Sequence, residues 1–317
     1  MFGFVKTIQG FLSKLKSNKR LWFTSLFIIA TLGVAFSVTI LIITTDSVSK
    51  EVYVSQTKEF LLRYKDLEKL KEKKLQRLAA VVSYDNTIIE KIEKNDAAGI
   101  SLFENELNAK IAQQDKNLMI FKFYSLQNKN ETFRSSIIST IQTKNSIFGV
   151  EVLFDGIFYV YMQPIIKNEN VIGVLEIKES IYSIKESFDR TNQQFAFLLD
   201  SKMIAMISQQ NKDGVYQEVG KNYLIGSKMY ENKLSSSIIS LDENALQSIT
   251  KGEYIVGKEF FINGLLLRDT NGVDIGILIL GEAVDKEGGF ISMSNKMTNQ
   301  VVSIALGLIV SLLLFMF

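Results

Sequence analysis

Residues 133–180 read FRSSIISTIQTKNSIFGVEVLFDGIFYVYMQPIIKNENVIGVLEIKES. The period of this stretch changes once along its length. Residues 133–144 carry a helical pattern, and after them the pattern becomes extended, with strands over 148–154, 157–166 and 171–177. Asp155-Gly156 joins the first two strands, and Lys167-Asn168-Glu169-Asn170 joins the second pair. Both joints are hairpin signals. A helix that leads into consecutive antiparallel strands defines an α+β unit.

The same logic extends outward in both directions. Residues 118–124 read as a strand, and 87–94 and 100–114 as short helices. Residues 45–82 form one long helix, in which Phe60, Tyr64, Leu67, Leu70, Leu75, Leu78 and Val82 recur about every 3.6 residues. Lys and Glu fill the other positions, as on a solvated helix face. The narrow apolar stripe needs a partner, either the globular part of the chain or a second subunit. C-terminal to the quoted stretch, residues 179–192 read as a connecting helix. A second strand-rich unit follows, with strands at 195–199, 203–206, 253–257, 260–268 and 273–280 and a helix at 242–249. YVYMQPIIKNENVIGVLEIKES and FFINGLLLRDTNGVDIGILILGEA are weak internal repeats, each a long strand, a polar turn and a glycine-containing strand.

Residues 21–43 are 23 consecutive uncharged, mostly apolar residues, about 34 Å as a helix against a hydrocarbon core of about 30 Å. The run is too long for the apolar region of a signal peptide and lacks a small-residue cleavage site. Lys6, Lys14, Lys16, Lys19 and Arg20 precede it with no acid among them. By the positive-inside rule, residues 1–20 are a cytoplasmic basic N-terminus and 21–43 the first transmembrane helix. Residues 44–299 are then extracytoplasmic, with the long helix at 45–82 and two modules at 83–178 and 193–285. Residues 300–317 open a second transmembrane helix. Either this is a tail anchor or the chain is cut inside that helix, and the second reading is preferred.

Composition narrows the chemistry. The chain has 36 Lys and Arg against 34 Asp and Glu, and no His or Cys. Removing the five N-terminal bases leaves 31 against 34, which does not describe a nucleic-acid binder. Without His or Cys there is no disulfide, thiolate nucleophile or Ser-His-Asp triad, and the usual zinc and haem ligands are missing. Phosphate-loop, dinucleotide and calcium-loop spacings are absent. No carboxylate pair stands out as a general acid and base. The expectation is a protein that is not an enzyme, with no cofactor and no metal site.

Binding candidates come from strand alternation. Tyr159, Tyr161 and Gln163 share one face of their strand, with Glu151 on the neighbouring strand. Arg134 lies near the start of the preceding helix, and Tyr124 ends the first strand. Tyr159 and Tyr161 serve equally well as core aromatics. As a ligand site, Tyr161 would supply a wall and the Arg134 guanidinium would hold an anionic group such as a carboxylate.

Two membrane helices bracketing a long helix and two such units resemble the double Cache sensor of bacterial chemoreceptors and sensor kinases. Gly149-Val150-Glu151, Gly156, Pro164 and Gly173-Val174-Leu175-Glu176 are similar to the motif of its third subfamily. Members often carry arginine four residues before the proline, where this chain has Val160. The resemblance covers about residues 45–297. It implies two PAS-like antiparallel modules, a ligand pocket in the membrane-distal one, and residence in a bacterial inner membrane. It also implies a small extracellular metabolite as ligand, a carboxylate or amino acid, and a homodimer. The cytoplasmic signalling module would lie outside this chain. A chemotaxis receptor is the first expectation. A sensor histidine kinase or a cyclic-dinucleotide enzyme is the second, and a dimeric envelope adaptor that senses nothing is the third.

Overall fold

The computed structural model describes residues 19–114, 119–127, 133–209 and 215–314. Helix α1, Lys19–Ser83, is 65 residues long. No proline interrupts it, and the first break comes where the Asp85 carboxylate accepts from the Thr87 N–H at 2.8 Å and caps α2, Asn86–Glu93. Helix α3, Ala97–Gln114, follows. The expected basic N-terminus lies outside the described residues, apart from its last two.

The chain divides into two compact units, the described parts of 1–55 with 287–317, and residues 56–286. In the first, α1 lies against the C-terminal helix Phe290–Leu314. The hydroxyls of Ser49, Ser294 and Thr298 form a ladder, with Ser294 to Ser49 at 3.0 Å and Ser49 to Thr298 at 3.2 Å. Tyr53 donates to Asn295 Oδ1 at 2.8 Å. Among the described residues, the stretch Phe27–Ser83 holds an 18-residue window of mean hydropathy 2.5, long and apolar enough to cross a bilayer. The expected second span falls partly in Phe290–Leu314, and its residues 315–317 lie outside the described residues.

The second unit is α+β and holds two antiparallel sheets. Strands β1 (Ile120–Ser125), β2 (Ile147–Leu153), β3 (Gly156–Lys167) and β4 (Asn170–Ser180) form the first, in the order β1-β4-β3-β2. Leu118, expected at the start of β1, lies outside the described residues. Helix α4, Ser135–Thr143, precedes β2 and ends at Lys144, whose φ is 56°. The β3–β4 hairpin turns on Asn168 and Glu169, both at positive φ, the geometry that matches strand twist. One face of this sheet presents Phe121, Phe123, Tyr161, Ile165, Leu175 and Ile177 to Leu75 and Ala79 of α1 and to Ile88 and Ile92 of α2. The other presents Tyr124, Phe158, Val160, Met162 and Val174 to Ile137 of α4.

The second sheet comprises β5 (Gln193–Asp200), β6 (Tyr216–Val219), β7 (Tyr223–Gly226), β8 (Ile255–Val256), β9 (Phe260–Arg268) and β10 (Asp274–Ala283), in the order β6-β7-β5-β10-β9-β8. Leu234 and Ile238 of helix Asn232–Ile239 and Leu246 and Ile249 of helix Glu243–Thr250 cover one face. On the other, Phe261 meets Phe60 of α1 with ring centroids 6.2 Å apart.

Several expected elements differ. The strand expected at 203–206 is a 3-10 helix, Ser201–Met206, because the Asp200 carboxylate accepts from the Lys202 N–H at 2.9 Å and turns the chain. The connecting helix at 179–192 is shorter, since β4 continues to Ser180. A 3-10 turn, Ile181–Ile184, then leads into helix Lys185–Asp189. Strand 253–257 shrinks to Ile255–Val256. Strands β6 and β7 and helix Asn232–Ile239 escape the periodicity reading, the two strands being only four residues each.

The apolar stripe of α1 packs mostly within the chain. Phe60, Tyr64, Leu75 and Ala79 are buried, whereas Leu70 is 62% exposed. Leu75→Ala should therefore cost about 3 kcal/mol in urea unfolding and Leu70→Ala less than about 0.5 kcal/mol. Equal costs would mean that another surface covers Leu70.

Candidate ligand-binding cleft

Antiparallel partners share a face of their sheet. Glu151 pairs with Phe158 and Gly149 with Val160. Met162 pairs with Glu176, and Lys122 pairs with Glu176 from the other side. The carboxylates of Glu151 and Glu176 therefore rise from the face that carries Tyr124, on either side of the strip of apolar residues under α4. Arg134 is the residue before α4, with extended backbone, φ −74° and ψ 163°. From that position its side chain lies between the two acids. Nε binds Glu151 Oε2 at 2.8 Å, and the terminal nitrogen Nη2 binds Glu176 Oε1. Nε also reaches Ser136 Oγ at 3.3 Å. The Tyr124 hydroxyl donates to Glu176 Oε2 at 2.7 Å.

This cluster carries one positive and two negative charges. The Glu151 and Glu176 side chains are 7% and 2% exposed, and that of Arg134 is 31% exposed. Burial pulls the guanidinium pKa down, but the charges of Glu176 and Glu151 outweigh it and hold it above the ordinary arginine value. Arg134 stays charged.

Above the cluster is a cleft of about 410 Å³. Lys122 and Lys178 stand at its sides. The Lys122 ammonium lies 4.7 Å from the Tyr124 ring centre, and that of Lys178 lies 4.8 Å from the Phe158 ring centre while pairing with Asp155. Lys122 has no carboxylate partner among the described residues. The far wall comes from the second sheet's module, through Met203, Met206, Asp269, Asn271 and Ile275.

The structure brings Tyr124, Arg134 and Glu151 together and leaves out Tyr159, Tyr161 and Gln163. Those three have the other parity on β3 and point toward α1. Tyr159 stacks on Phe148 with centroids 6.0 Å apart and donates to the Tyr64 hydroxyl at 3.2 Å. Burial pushes its phenol pKa well up. Tyr161 is 3% exposed in the core with Leu75 and Leu175. Gln163 Nε2 reaches only the Pro164 carbonyl, at 3.4 Å. The expected aromatic wall is therefore core. The guanidinium expected to clamp an anion is already shared by two carboxylates. Sequence reasoning misses Glu176, Lys122, Lys178 and Thr270. Glu176 stands in the quoted Gly173–Glu176 motif and is readable there by parity. Thr270 comes from the β9–β10 turn and donates its hydroxyl to Glu151 Oε1 at 2.7 Å, and no local pattern links the two.

No protein-family model matches the chain, and no curated protein matches it. Solved structures similar to it are sensor and ligand-binding domains. The sensor domain of the V. cholerae histidine kinase DctB is 10% identical, with 75% of this chain and 98% of that one covered at a TM-score of 0.38. The ligand-binding domain of the Campylobacter jejuni chemoreceptor Tlp3, in complex with L-norvaline, is 13% identical, with 76% and 92% covered at 0.40. A domain of a sensory box/GGDEF family protein from Vibrio parahaemolyticus is 9% identical, with 76% and 99% covered at 0.43.

Removing the shared cation tests the cluster. Arg134→Leu leaves two buried carboxylates facing each other. It should cost about 2–3 kcal/mol at pH 7, below the roughly 3–5 kcal/mol of a fully buried pair because Arg134 is partly exposed. In the variant each acid raises the other's pKa, so the folded state binds more protons than the unfolded state, and stability falls as pH rises. Thermal melts should recover part of the loss near about pH 4. A loss that does not vary with pH would remove the electrostatic reading.

Proposed function

We propose that the chain is the extracytoplasmic sensing portion of a membrane receptor and that the cleft between the two modules binds a small zwitterion, an amino acid. The observation that carries this is the cluster of Arg134, Glu151 and Glu176, a buried net negative charge at the floor of a cleft. A buried negative excess favours a ligand that presents a cationic group to it. An α-ammonium would donate to the free lone pairs of Glu151 and Glu176, and the α-carboxylate would meet Lys122. The side chain would then face Met203, Met206 and Ile275. The cleft holds its ligand without transforming it, and no cofactor or metal is invoked.

The apolar helix after the basic block supports a membrane anchor with the cleft on the outer side. Exposed Leu62, Leu70, Val81 and Tyr84 on α1 and the turn after it suit a homodimer. A second transmembrane helix after residue 300 would carry the signal inward. A chemotaxis receptor remains the first choice of output, with a sensor kinase or cyclic-dinucleotide enzyme next.

Calorimetry with L-norvaline on the full chain in detergent tests the site. Glu176→Gln removes a charged contact to the ammonium and should weaken binding by about 30-fold or more, for a loss of roughly 2–3 kcal/mol. Tyr161→Phe, on the opposite face, should change nothing. The reverse pattern would move the site to the α1 side of the sheet.

A further inference from the structure

The wall of the cleft furthest from the carboxylates does not belong to the first module, and it is not loosely placed. The β9–β10 turn is locked on Asp269, whose Oδ1 accepts the N–H groups of Asn271 and Val273, each at 2.8 Å. Asp269 bridges Val150 of β2 in parallel fashion. The turn then delivers Thr270, whose hydroxyl donates to Glu151 Oε1 at 2.7 Å. Opposite it is Gly149, where a Cβ would come within 2.8 Å of Thr270 Cγ2. A side chain at this position would require the Thr270 side chain to move. A second tie holds the 3-10 segment: the Ser208 N–H donates to the Phe154 carbonyl at 2.8 Å. Met203 and Met206 on that segment are thereby held at a set distance from the carboxylates.

We infer that the second module is the specificity half of the site. Thr270 is a positioning residue for the Glu151 carboxylate, and Met203 and Met206 select the ligand's apolar group. This rests on the reading of the cleft as an amino-acid site and adds where its selectivity resides. The carboxylates recognise an ammonium common to all amino acids, so they cannot tell one side chain from another. The two methionines are the flexible apolar groups across from them, and unbranched thioether chains adapt to linear aliphatic ligands. The ligand class that follows is an amino acid with an unbranched or lightly branched aliphatic side chain.

The test is calorimetry of the full chain in detergent with L-alanine and L-norvaline. Each buried methylene strengthens binding roughly fourfold, so the two extra methylenes of norvaline should give about a 15-fold preference. In Met203→Ala with Met206→Ala that preference should fall below about fourfold, with alanine affinity little changed. Thr270→Val should weaken both ligands equally, by about five- to tenfold, while Thr270→Ser, which keeps the hydroxyl, should bind as the unaltered chain does. Thermal melts of each variant report folding; Met206 is exposed and Met203 half-buried, so the double variant should lose little in melting temperature. If the unaltered chain binds neither amino acid, the amino-acid reading and this inference both fall. If it binds norvaline but the methionine variant keeps the full preference, the inference alone is overturned. The same holds if Thr270→Val binds both ligands normally.

Discussion

One guanidinium shared by two carboxylates sets the character of the cleft. Arg134 neutralises one charge of the Glu151 and Glu176 pair and leaves the other. Two acids that point toward one space in a protein interior would ordinarily lose one proton only, because their repulsion in low dielectric is large. The arginine between them supplies a counter-charge to both. It can do so because it is the last extended residue before α4, where a side chain projects across the sheet and not along the helix surface. A buried ion cluster is not a source of stability in itself, since desolvation offsets most of its attraction. Its use here is to hold a fixed charge excess beneath an open cleft.

Strand β4 links that charge to the rest of the fold. Leu175 and Ile177 face α1 and α2, and Glu176 and Lys178 face the cleft. Further along, Glu179 turns back toward α1 and meets Lys71 at 2.6 Å, with its side chain fully buried. Its second oxygen, Oε2, has no partner among the described residues. Beside it, Tyr159 donates to Tyr64, which donates to Glu68 at 3.0 Å. Burial pushes the Glu68 carboxyl up from its ordinary value. The same strand thus touches the cleft on one face and a polar seam against α1 on the other.

Much of this is legible in the sequence, and the misreadings have local causes. The hairpins at 155–156 and 168–169 identify the strands and their order. Parity alone places Glu151 opposite the even residues of β3, because shifting that turn by one residue on each strand changes the pairing by two. The same alternation separates Tyr159 and Tyr161 from Glu151, although their aromatic character draws them toward the site. The β3–β4 register is harder. A bulge between Ile165 and Ile166 shifts the pairing by one, and nothing in Pro164-Ile165-Ile166 announces it. The 3-10 segment at 201–206 follows from Asp200 acting as a cap, which the strand reading of 203–206 hides. Thr270 is out of reach, since it meets Glu151 across 119 residues of chain.

The central claim is that a ligand sits on the Glu151 and Glu176 face of the first sheet, with its ammonium on the two carboxylates. A crystal structure of the protein grown with L-norvaline tests this most directly. The account predicts density in the cleft, with the ligand nitrogen within about 3 Å of an oxygen of each carboxylate and the propyl chain against Met203 and Met206. Ligand density beside Tyr159 and Tyr161 on the α1 face, or enclosed within the second sheet's module, would contradict it.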